Sequence, residues 1–580
     1  MGIIKNKGLN FIMLAGILIL GLLLAYSLIE FNSNHIHTAD AAINLSGAGT
    51  SSNPYKINNT SDLTTLANWV NSGNQCSGQY FELTNNIDAS GVPVIGRMSY
   101  GTAYYFKGIF DGNGKSIRNL NISSNTTNNN GDIGLFGYLQ GTVKNLIIMN
   151  GSINLTANGK SAGAIAGSTY SGTVIERCFN AGCTVTASTG TGGSQTGGLV
   201  GYVAGNTTIR YCGNYASVTN NSNSNPKAGG ILGIQGGGTA TIDQCFNTGT
   251  ISAGNTNSSD SYAGGISGLN GTIKNCYNTA NITANAKTNT TNDTIGLDID
   301  YSKEATIQAG TSRVTGILDV YSDNYTIKRE TKTAYSGGIV GNSNVSVKNS
   351  YNTGTITGGK VRTTVTNVFV FHSHSPHQTV GGSIFFSSSY KETYTSTIVF
   401  DEDIYFSGIN GNINTSSSAS YATTSNLSNN YNYTLHLDYE EQSSGSLSPT
   451  TTSTNLLNKS NQAYKNVAYD FNDFVGYGNP ETDNRHWFLD YTSSKVELNY
   501  SYRVKFKEGK DDEQYQRESN DIFSITTNRI TNYSIYSLSS MKSSSFANVL
   551  GSSYWRYNSL YNNGLPYLKN LFWTNSASRF

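Results

Sequence analysis

The chain has 580 residues, of which only 13% are charged, and its 37 basic and 36 acidic residues leave a net charge of +1. This balance argues against a nucleic-acid partner, which would require a basic face, and against a polyanionic tail. The combination of 63 glycines, 38 tyrosines and only 7 prolines is typical of turn-rich β structure rather than of a disordered linker.

The N-terminal segment predicts export. Lys5 and Lys7 precede an apolar run from Phe11 to Ile29, and residues 39–41 (ADA) have the form of a cleavage site. We therefore expect residues 1–41 to be a signal peptide. The run also approaches the ~20 residues that span a bilayer, so a retained N-terminal membrane anchor is the alternative. In both cases the rest of the chain is expected outside the cytoplasm.

Residues 42–125 are predicted to form an N-terminal cap and the first coils of the fold. Apolar residues recur at helical spacing at Leu63, Leu66, Ala67 and Val70, which predicts one amphipathic helix with Ser61 as its N-cap. Such a helix would cover the exposed edge of the first coil. Residues 111–114 (DGNG) predict a tight turn, because a calcium loop would need regularly spaced oxygen ligands.

Residues 126–360 hold the repeats around which the chain is organised. Six copies share G-G-[ILA]-x-G, a polar gap, an alternating apolar pair and C-[FYG]-N-x-[AG]-x-[IV]-[TS]. The β-branched pairs alternate as in half-buried strands, and the paired glycines predict sharp corners at positive φ. One copy has too few apolar residues to bury a face alone. We therefore predict an all-β fold, a parallel β-helix or related β-solenoid, in which stacked copies share one core.

Copies such as GGISG…NCYNTA resemble the GLUG motif of large exported bacterial surface proteins. The leader GTSSNPYKINNTSDLTTLANWV and the ending NNGLPYLKNLFW are also similar to segments of those proteins. The resemblance implies a β-helical protein that is secreted or held at the cell surface. Some members are adhesin-like, and similar repeats occur in non-catalytic regions of immunoglobulin-A-specific metallopeptidases. The chain has no H-E-x-x-H motif, so the peptidase activity is not expected here.

The repeat period breaks over about residues 284–336, because Gly265 and the equivalent Gly338 are 73 residues apart. The sequence allows either a decayed copy or an inserted hairpin there. Residues 361–450 are interpreted as a degenerate repeat or insertion with a linker, and the aromatic-rich residues 451–580 as the closing segment of the solenoid.

The cysteines are the most regular polar feature of the repeats. One repeat position is occupied in successive copies by Cys178, Cys212, Cys245, Cys276 and, in the last copy, Ser350. Stacked coils would bring these side chains ~4.8 Å apart, so both disulfides and buried free thiols are possible. The serine substitution favours buried thiols. Cys178 with Cys183 is the best alternative disulfide pair, and the disulfide state stays open.

Three histidines, His372, His374 and His377, lie close together after an apolar strand. His372 and His374 would point the same way from a strand, which is compatible with metal binding. No acidic ligand lies near them in sequence to complete a site. Exposed loop histidines are therefore the favoured interpretation, and metal binding is left open.

An enzyme on this scaffold would need carboxylates from adjacent coils, ~5–9 Å apart, on one lateral face. The candidates are two acidic pairs, Asp298 with Asp300 and Asp401 with Asp403, each of which would share a face of a strand. Short acidic pairs on exposed strands are common, so a solvated surface is the ordinary interpretation.

The sequence identifies no catalytic residue, no metal ligand and no cofactor, and it leaves the binding residues unknown. We expect an exported, non-catalytic surface or secreted repeat protein that binds extracellular glycans or the surface proteins of host or neighbouring cells. It would contact a membrane only through an uncleaved N-terminal segment. The alternatives are a polysaccharide lyase or hydrolase and a passive surface spacer.

Overall fold

The computed structural model of the chain describes residues 43–99, 102–124, 131–297, 301–309, 312–344, 347–374 and 534–569, together with strands between residues 378 and 526. Met1–Ser46 and Gly47–Phe580 are two compact units, and every element below belongs to the second. The predicted signal peptide or anchor at residues 1–41 lies outside the described residues. Among the described helices, none is both long and apolar enough to cross a membrane.

The repeats wind into a β-solenoid of about six turns, as the sequence predicts. Each full coil contributes five strands to four parallel sheets, always in the same order. In the coil that starts at Gln195, these strands are Gln195–Gly197 in sheet 3, Val200–Val203 in sheet 4, Thr207–Arg210 in sheet 1, and Gly213–Asn214 and Val218–Asn220 in the two arms of sheet 2. Every strand pairs in parallel with its counterparts in the coils before and after it.

Sheet 1 contains Tyr55–Ile57, Tyr80–Leu83, Ile109–Asp111, Thr142–Lys144, Thr173–Glu176, Thr207–Arg210, Ala240–Asp243 and Thr272–Lys274. Sheet 3 contains Ser161–Gly163, Gln195–Gly197, Lys227–Gly229, Ser261–Gly264, Ala334–Gly337 and Phe406–Ser407. Sheet 4 contains Phe136–Leu139, Ala166–Thr169, Val200–Val203, Leu232–Gln235, Ser267–Leu269 and Val340–Asn342.

Sheet 2 has two arms that are joined by the long strands Ser116–Ser123 and Ile147–Leu155. Its first arm contains Ile87–Asp88, Phe179–Ala181, Gly213–Asn214, Phe246–Asn247, Tyr277–Asn278, Tyr351–Asn352, Tyr421–Thr423 and Ser534–Tyr536. Its second arm contains Thr184–Ala187, Val218–Asn220, Ile251–Ala253, Ile282–Ala284 and Ile356–Thr357.

The core is built from columns of equivalent β-branched side chains that repeat from coil to coil. On sheet 1 the inward column is Val143, Ile175, Ile209, Ile242 and Ile273, and on the second arm of sheet 2 it is Ile153, Val185, Val218, Ile251, Ile282 and Ile356. All of them are buried. Because strands alternate with period two, each buried residue is flanked by residues that face outward, and those outward columns form the faces of the molecule.

The paired glycines are needed for close backbone approach, which corrects the expectation that they sit at positive φ. Gly230 and Gly265 do not have positive φ. A Cβ on Gly230 would lie 2.1 Å from the carbonyl oxygen of Gly265 and 2.5 Å from Asn247 Cγ. Adjacent coils therefore meet here at a distance that leaves no room for any side chain.

Positive φ occurs instead at the corner between sheets 1 and 2. The residues there are Asn145, Arg177, Tyr211, Gln244, Asn275 and Asn349, each immediately before the cysteine position or its equivalent. A non-glycine residue in this region is strained by roughly 1–2 kcal/mol. Hydrogen bonds between coils accompany the corner: for example, Arg177 N donates to Arg210 O at 3.1 Å and Tyr211 N to Asp243 O at 3.2 Å.

Helix α1 (Thr60–Asn71) forms where the apolar spacing predicts it, and its four apolar residues are buried. The N-cap is Asn59 rather than Ser61, because Asn59 Oδ1 accepts hydrogen bonds from the backbone N–H groups of Ser61 and Asp62. Nearby, a small antiparallel pair joins Met98–Ser99 to Thr102–Ala103.

The break in the repeat period is an inserted set of strands rather than a decayed coil. Ala334–Gly337 pairs directly with Ser261–Gly264, so the strands between residues 289 and 331 add no coil. Three inserted segments, separated by solenoid strands, build one antiparallel sheet of Asn289–Leu297, Tyr301–Ala309, Ser312–Thr331, Val361–His374, Ser389–Glu402, Tyr431–Tyr439 and Thr452–Asn455. Further antiparallel strands are Gln378–Val380, Ser383–Phe385, Arg485–Tyr491, Lys495–Phe506 and Glu513–Thr526.

The C-terminal residues 537–569, here called the strap, follow the last strand of sheet 2 and pack against the outside of that sheet. The strap contains helix α2 (Leu538–Met541), helix α3 (Ser544–Gly551), the 3₁₀ turn Asn562–Gly564 and the paired strands Trp555–Arg556 and Tyr567–Leu568. Its apolar residues cover an aromatic column on the first arm of sheet 2. That column is Phe179, Phe246, Tyr277 and Tyr351.

Candidate binding faces

The cysteine column is buried in the core of the solenoid. Cys178, Cys212, Cys245 and Cys276 are free thiols with no exposed surface, as the serine substitution favoured, and Cys183 is a buried free thiol as well. Burial raises the pKa of Cys245 far above its usual range and that of Cys183 to about 12. Ser350 continues the column by accepting a hydrogen bond from Cys276 N at 3.1 Å. These buried thiols therefore pack within the core.

The asparagines two residues after the cysteines form a second buried column. Asn214 Nδ2 donates to Asn247 Oδ1, and Asn247 Nδ2 donates to Asn278 Oδ1, each at 2.8 Å. In these three asparagines Nδ2 also donates to a carbonyl oxygen two residues further along its own coil; the distance is 2.8 Å from Asn247 to Gly249. The regular spacing of these asparagines among the copies thus serves a hydrogen-bonded spine rather than a glycan surface.

Register-equivalent residues at or next to the ends of the eight sheet 1 strands form a column of charges: Lys56, Glu82, Asp111, Lys144, Glu176, Arg210, Asp243 and Lys274. Neighbours of opposite sign pair at 2.9 Å (Lys56–Glu82), 3.1 Å (Lys144–Asp111), 2.7 Å (Arg210–Glu176) and 3.4 Å (Lys274–Asp243). Each pair is partly exposed and contributes little stability alone, although a network of such pairs contributes more.

Glu82 and Asp111 are the place where two carboxylates from adjacent coils do lie side by side, with a lysine beside each. Asn113 Nδ2 donates to Glu82 Oε1 at 2.8 Å, and Asn145 Nδ2 donates to Asp111 Oδ1 at 3.0 Å. The oxygens that would attack or protonate a substrate are thus already engaged. The same contacts show that the Asp111 turn is held by protein groups, as the turn interpretation of residues 111–114 expects.

The other acidic and histidine candidates lie in or beside the insertions. Asp298, Asp300, Asp403 and His377 lie outside the described residues. Asp401 lies opposite Arg362, and His372 lies opposite Lys391, in the antiparallel register of the inserted sheet. Among the residues that the structure describes, no three His, Cys, Asp or Glu side chains come together in an arrangement that could hold a metal ion.

The outward side of the second arm of sheet 2 carries two columns of uncharged hydrogen-bonding side chains, here called the hydroxyl face. One column is Asn121, Ser152, Thr184, Ser217, Thr250, Asn281 and Thr355, and the other is Ser123, Asn154, Thr186, Thr219, Ser252, Thr283 and Thr357. All fourteen are hydroxyl or carboxamide side chains, and all are partly or fully exposed.

The geometry of the hydroxyl face follows from its strands. Each coil presents the two side chains on either side of one buried residue, such as Ile251 between Thr250 and Ser252. Side chains two residues apart are ~6.6 Å apart along a strand, and equivalent residues are ~4.8 Å apart between coils. Seven coils therefore extend the face to ~29 Å along the solenoid axis, but it is only two side chains wide. A long, narrow and uncharged array of donors and acceptors results.

Several tyrosines of the solenoid are buried against other side chains. Tyr277 and Tyr351 are buried beneath the strap, and the Tyr351 hydroxyl donates to Pro566 O at 2.6 Å. Tyr138 is buried against Tyr105 and Tyr170, with ring centroids 5.9 Å and 6.2 Å away. The high tyrosine content of the chain therefore reflects packing on the sides of the solenoid as much as a binding surface.

Asp132 lies beside this tyrosine cluster. Its carboxylate accepts hydrogen bonds from Ser161 N at 2.8 Å and from Ser168 Oγ at 2.5 Å. Burial outweighs both bonds and raises the pKa of Asp132 above its usual range. The protonation of Asp132 therefore makes the stability of the first coils depend on pH. Among its contacts in the described part of the chain, none is of the kind that would make it a catalytic group.

The charge column of sheet 1 was not anticipated from the sequence. Its signal is visible in the aligned copies, where the residue two before the cysteine alternates through Glu176, Arg210, Asp243 and Lys274. The strap helices were also missed, although Ser543 caps α3 by accepting a hydrogen bond from Phe546 N. The charges change sign from copy to copy, so they leave no single residue type at that position, and the strap lies outside the repeats.

The chain shows partial similarity to known proteins. No family model matches the chain. A stretch of 141 residues, 22% of this chain, is 35% identical to halomucin from Haloquadratum walsbyi, and the match spans 2% of the length of that protein. A crystal structure of a "putative immunoglobulin A1 protease" from Bacteroides ovatus is 24% identical with a TM-score of 0.30, covering 40% of this chain and 77% of that one. A TM-score of that size carries no argument, so the fold rests on the strand pairing itself and the GLUG resemblance on the motif residues.

Proposed function

We propose that this chain is an exported, non-catalytic repeat protein of the cell surface that binds extracellular polymers, glycans first among them, through the hydroxyl face. The observation that carries the proposal is that face: fourteen uncharged hydrogen-bonding side chains in two columns over seven coils. The 35% identity to a stretch of halomucin fits a repeat protein of this kind.

The chemistry of the face suits sugars. Ser, Thr and Asn side chains both donate and accept hydrogen bonds, as sugar hydroxyls do. Single exchanged hydrogen bonds contribute only ~1 kcal/mol each, so an array in register is needed for useful affinity. The rigid backbone beneath, with Val185, Ile251 and Ile282 fully or almost fully buried, holds the array in place without an ordering cost at binding.

The test is one assay with two readouts. The purified chain is incubated with immobilised neutral glycans and matrix proteins, and retained protein and released sugar ends are recorded together. The proposal predicts saturable retention without product. Product that accumulates with time would contradict a non-catalytic function, and the absence of retention on every glycan would contradict glycan binding.

A polysaccharide hydrolase or lyase is the second candidate, and the adjacent carboxylates Glu82 and Asp111 are the observation in its favour. If sugar ends are released, Glu82→Gln and Asp111→Asn should abolish the release while leaving retention unchanged. If product still forms in both variants, the catalytic candidates become Asp298, Asp300, Asp401 and Asp403.

A further inference from the structure

A second outward column, on sheet 3, differs in chemistry from the hydroxyl face. Gln195, Lys227 and Tyr262 occupy equivalent positions in three successive coils, ~4.8 Å apart, and Tyr335 follows in the next coil. All are partly exposed. The first three are here called the donor column, because each presents N–H or O–H groups outward.

The side chains of the donor column are held in place by their neighbours. Ser161 Oγ donates to Gln195 Oε1 at 2.8 Å, which leaves the amide nitrogen of Gln195 as the free end of that side chain. Lys227 Nζ lies 5.8 Å from the centroid of the Tyr262 ring. The rings of Tyr262 and Tyr335 stack at 5.1 Å with 4° between their planes, which fixes the position of the Tyr262 ring beside Lys227.

Lys227 is unlike the cations of sheet 1. Lys56, Lys144 and Lys274 each have a carboxylate within 3.4 Å, whereas Lys227 forms no ion pair with any residue in the described part of the chain. Asp260 attracts its ammonium group from the next coil without reaching ion-pair distance. A partly buried ammonium without a paired anion, flanked by an amide and a phenol donor, is a site prepared for an anionic group.

We propose that the donor column binds the carboxylate of an acidic sugar in an extended polysaccharide, with Lys227 as the charged contact and Gln195 and Tyr262 as flanking donors. The inference goes beyond the proposed function and does not depend on the hydroxyl face. A carboxylate rather than a phosphate or a neutral hydroxyl fits because one cation and two neutral donors balance a single negative charge.

The charged groups around Lys227 set the pH range of such binding. Burial lowers the pKa of Lys227 to about 8, and attraction by Asp260 opposes the shift. The other titratable group that faces it is Tyr262, whose pKa burial raises to about 12, while the preceding coil contributes the uncharged Gln195. Binding should therefore weaken as the pH rises above 8, where the amine loses its proton.

The probe is polygalacturonate, with its carboxyl-reduced form as the matched neutral polymer. We expect the full chain to bind polygalacturonate at pH 7 at least tenfold more tightly than the reduced polymer. Lys227→Met should abolish that preference, and Lys227→Arg should keep it. Between pH 7 and pH 9.5 the parent should lose the preference, whereas the arginine variant should not, because guanidinium stays charged.

Equal affinity of the parent for both polymers, or an unchanged preference in Lys227→Met, would overturn the inference. Thermal melting of each variant checks that the fold is kept. Retention on neutral glycans, measured with the same preparations, reports separately on the hydroxyl face, so failure of one proposal is distinguishable from failure of the other.

Discussion

At the scale of single residues, the solenoid depends on positions where no side chain fits. Gly230 is one of them, since the carbonyl oxygen of Gly265 and the side chain of Asn247 fill the space a Cβ would take. The sequence identified the glycine pattern as a corner signal but could not distinguish a need for positive φ from a need for close approach. Both requirements select glycine, and only the packing of the next coil separates them.

Replacing Gly230 with alanine should therefore destabilise the protein by about 1–3 kcal/mol or more, because two backbones must move apart. Gly190 is the matched control: it has no positive φ, and a Cβ at this position would meet no atom within 4 Å. Denaturant unfolding of both variants measures the difference. Equal stabilities for Gly230→Ala and Gly190→Ala would show that the close approach of the two coils does not exclude a side chain at Gly230.

Asp132 gives a prediction about pH. Its pKa is raised in the folded protein, so its contribution to stability is fully present below the unfolded value of 3.8 and is lost as the pH rises through the folded value. Asp132→Asn keeps an acceptor for Ser161 N and removes the buried charge. We expect this variant to melt at a higher temperature than the parent at pH 7, because the cost of burying an ionised carboxylate is removed.

At pH 3 the two proteins should melt together, because the parent carboxyl is then neutral. Melting curves at both pH values provide the check. A variant that is less stable than the parent at pH 7 would mean that the ionised carboxylate stabilises the tyrosine cluster.

At the scale of elements, the columns that join coils carry the fold. The Asn214–Asn247–Asn278 spine was only partly readable from the sequence. The copies show an asparagine at a fixed position, and asparagine bonds to neighbouring backbone in turns. That its amide also reaches the next coil follows from the stacking distance, which no single copy contains.

Asn247→Ala should break this spine in its middle. It removes the acceptor for Asn214 Nδ2 and the donor to Asn278 Oδ1, and each buried group left without a partner costs about 1–3 kcal/mol. Asn281→Ala, at an exposed position of the hydroxyl face, is the control. The free energy of unfolding of both variants is measured in urea. Equal small losses for Asn247→Ala and Asn281→Ala would contradict the role of the spine.

The strap is the element that the sequence described least well. Its aromatic residues predicted a closing segment, but not that helix α3 and Trp555 would pack laterally over Tyr277 and Tyr351. The reason is physical: aromatic content predicts burial, and the surface against which a segment is buried depends on tertiary contacts far away in the sequence.

Trp555→Ala should loosen the strap, since truncating a buried aromatic residue costs about 3–5 kcal/mol. Hydrogen exchange should rise over residues 538–568 and stay unchanged on sheet 4. Val549→Ala, at a residue of α3 that is 45% exposed, is the control. Faster exchange throughout the solenoid would show instead that the strap and the coils unfold as one unit.

At the scale of the whole molecule, the repeat period and its alternating pattern predicted the architecture correctly. Between residues 134 and 357 one residue pattern recurs in six copies, and copies this small bury their apolar residues by stacking into a shared core. The insertions were visible as breaks in that period, but their antiparallel pairing with each other depends on contacts between strands such as Ser312–Thr331 and Val361–His374.

The candidate faces were less predictable than the fold. Hydroxyl and amide residues at outward positions are common on any β surface, and their meaning comes only from their alignment over seven coils. Lys227 has no motif of its own. Its distinction is the lack of an ion-pair partner among the described residues, which is a property of the folded chain.

The central claim, that the hydroxyl face is the binding surface, is tested most directly by adding bulk and charge to that face alone. Thr219→Lys with Ser252→Lys places two long side chains on adjacent coils of the face. Thr208→Lys with Thr241→Lys does the same on sheet 1, where both threonines are partly exposed. Retention isotherms on neutral glycans would be measured for the parent and both variants. The account predicts at least a tenfold loss for the first variant and parent-like binding for the second. Parent-like binding by the first variant, with unchanged melting, would contradict it.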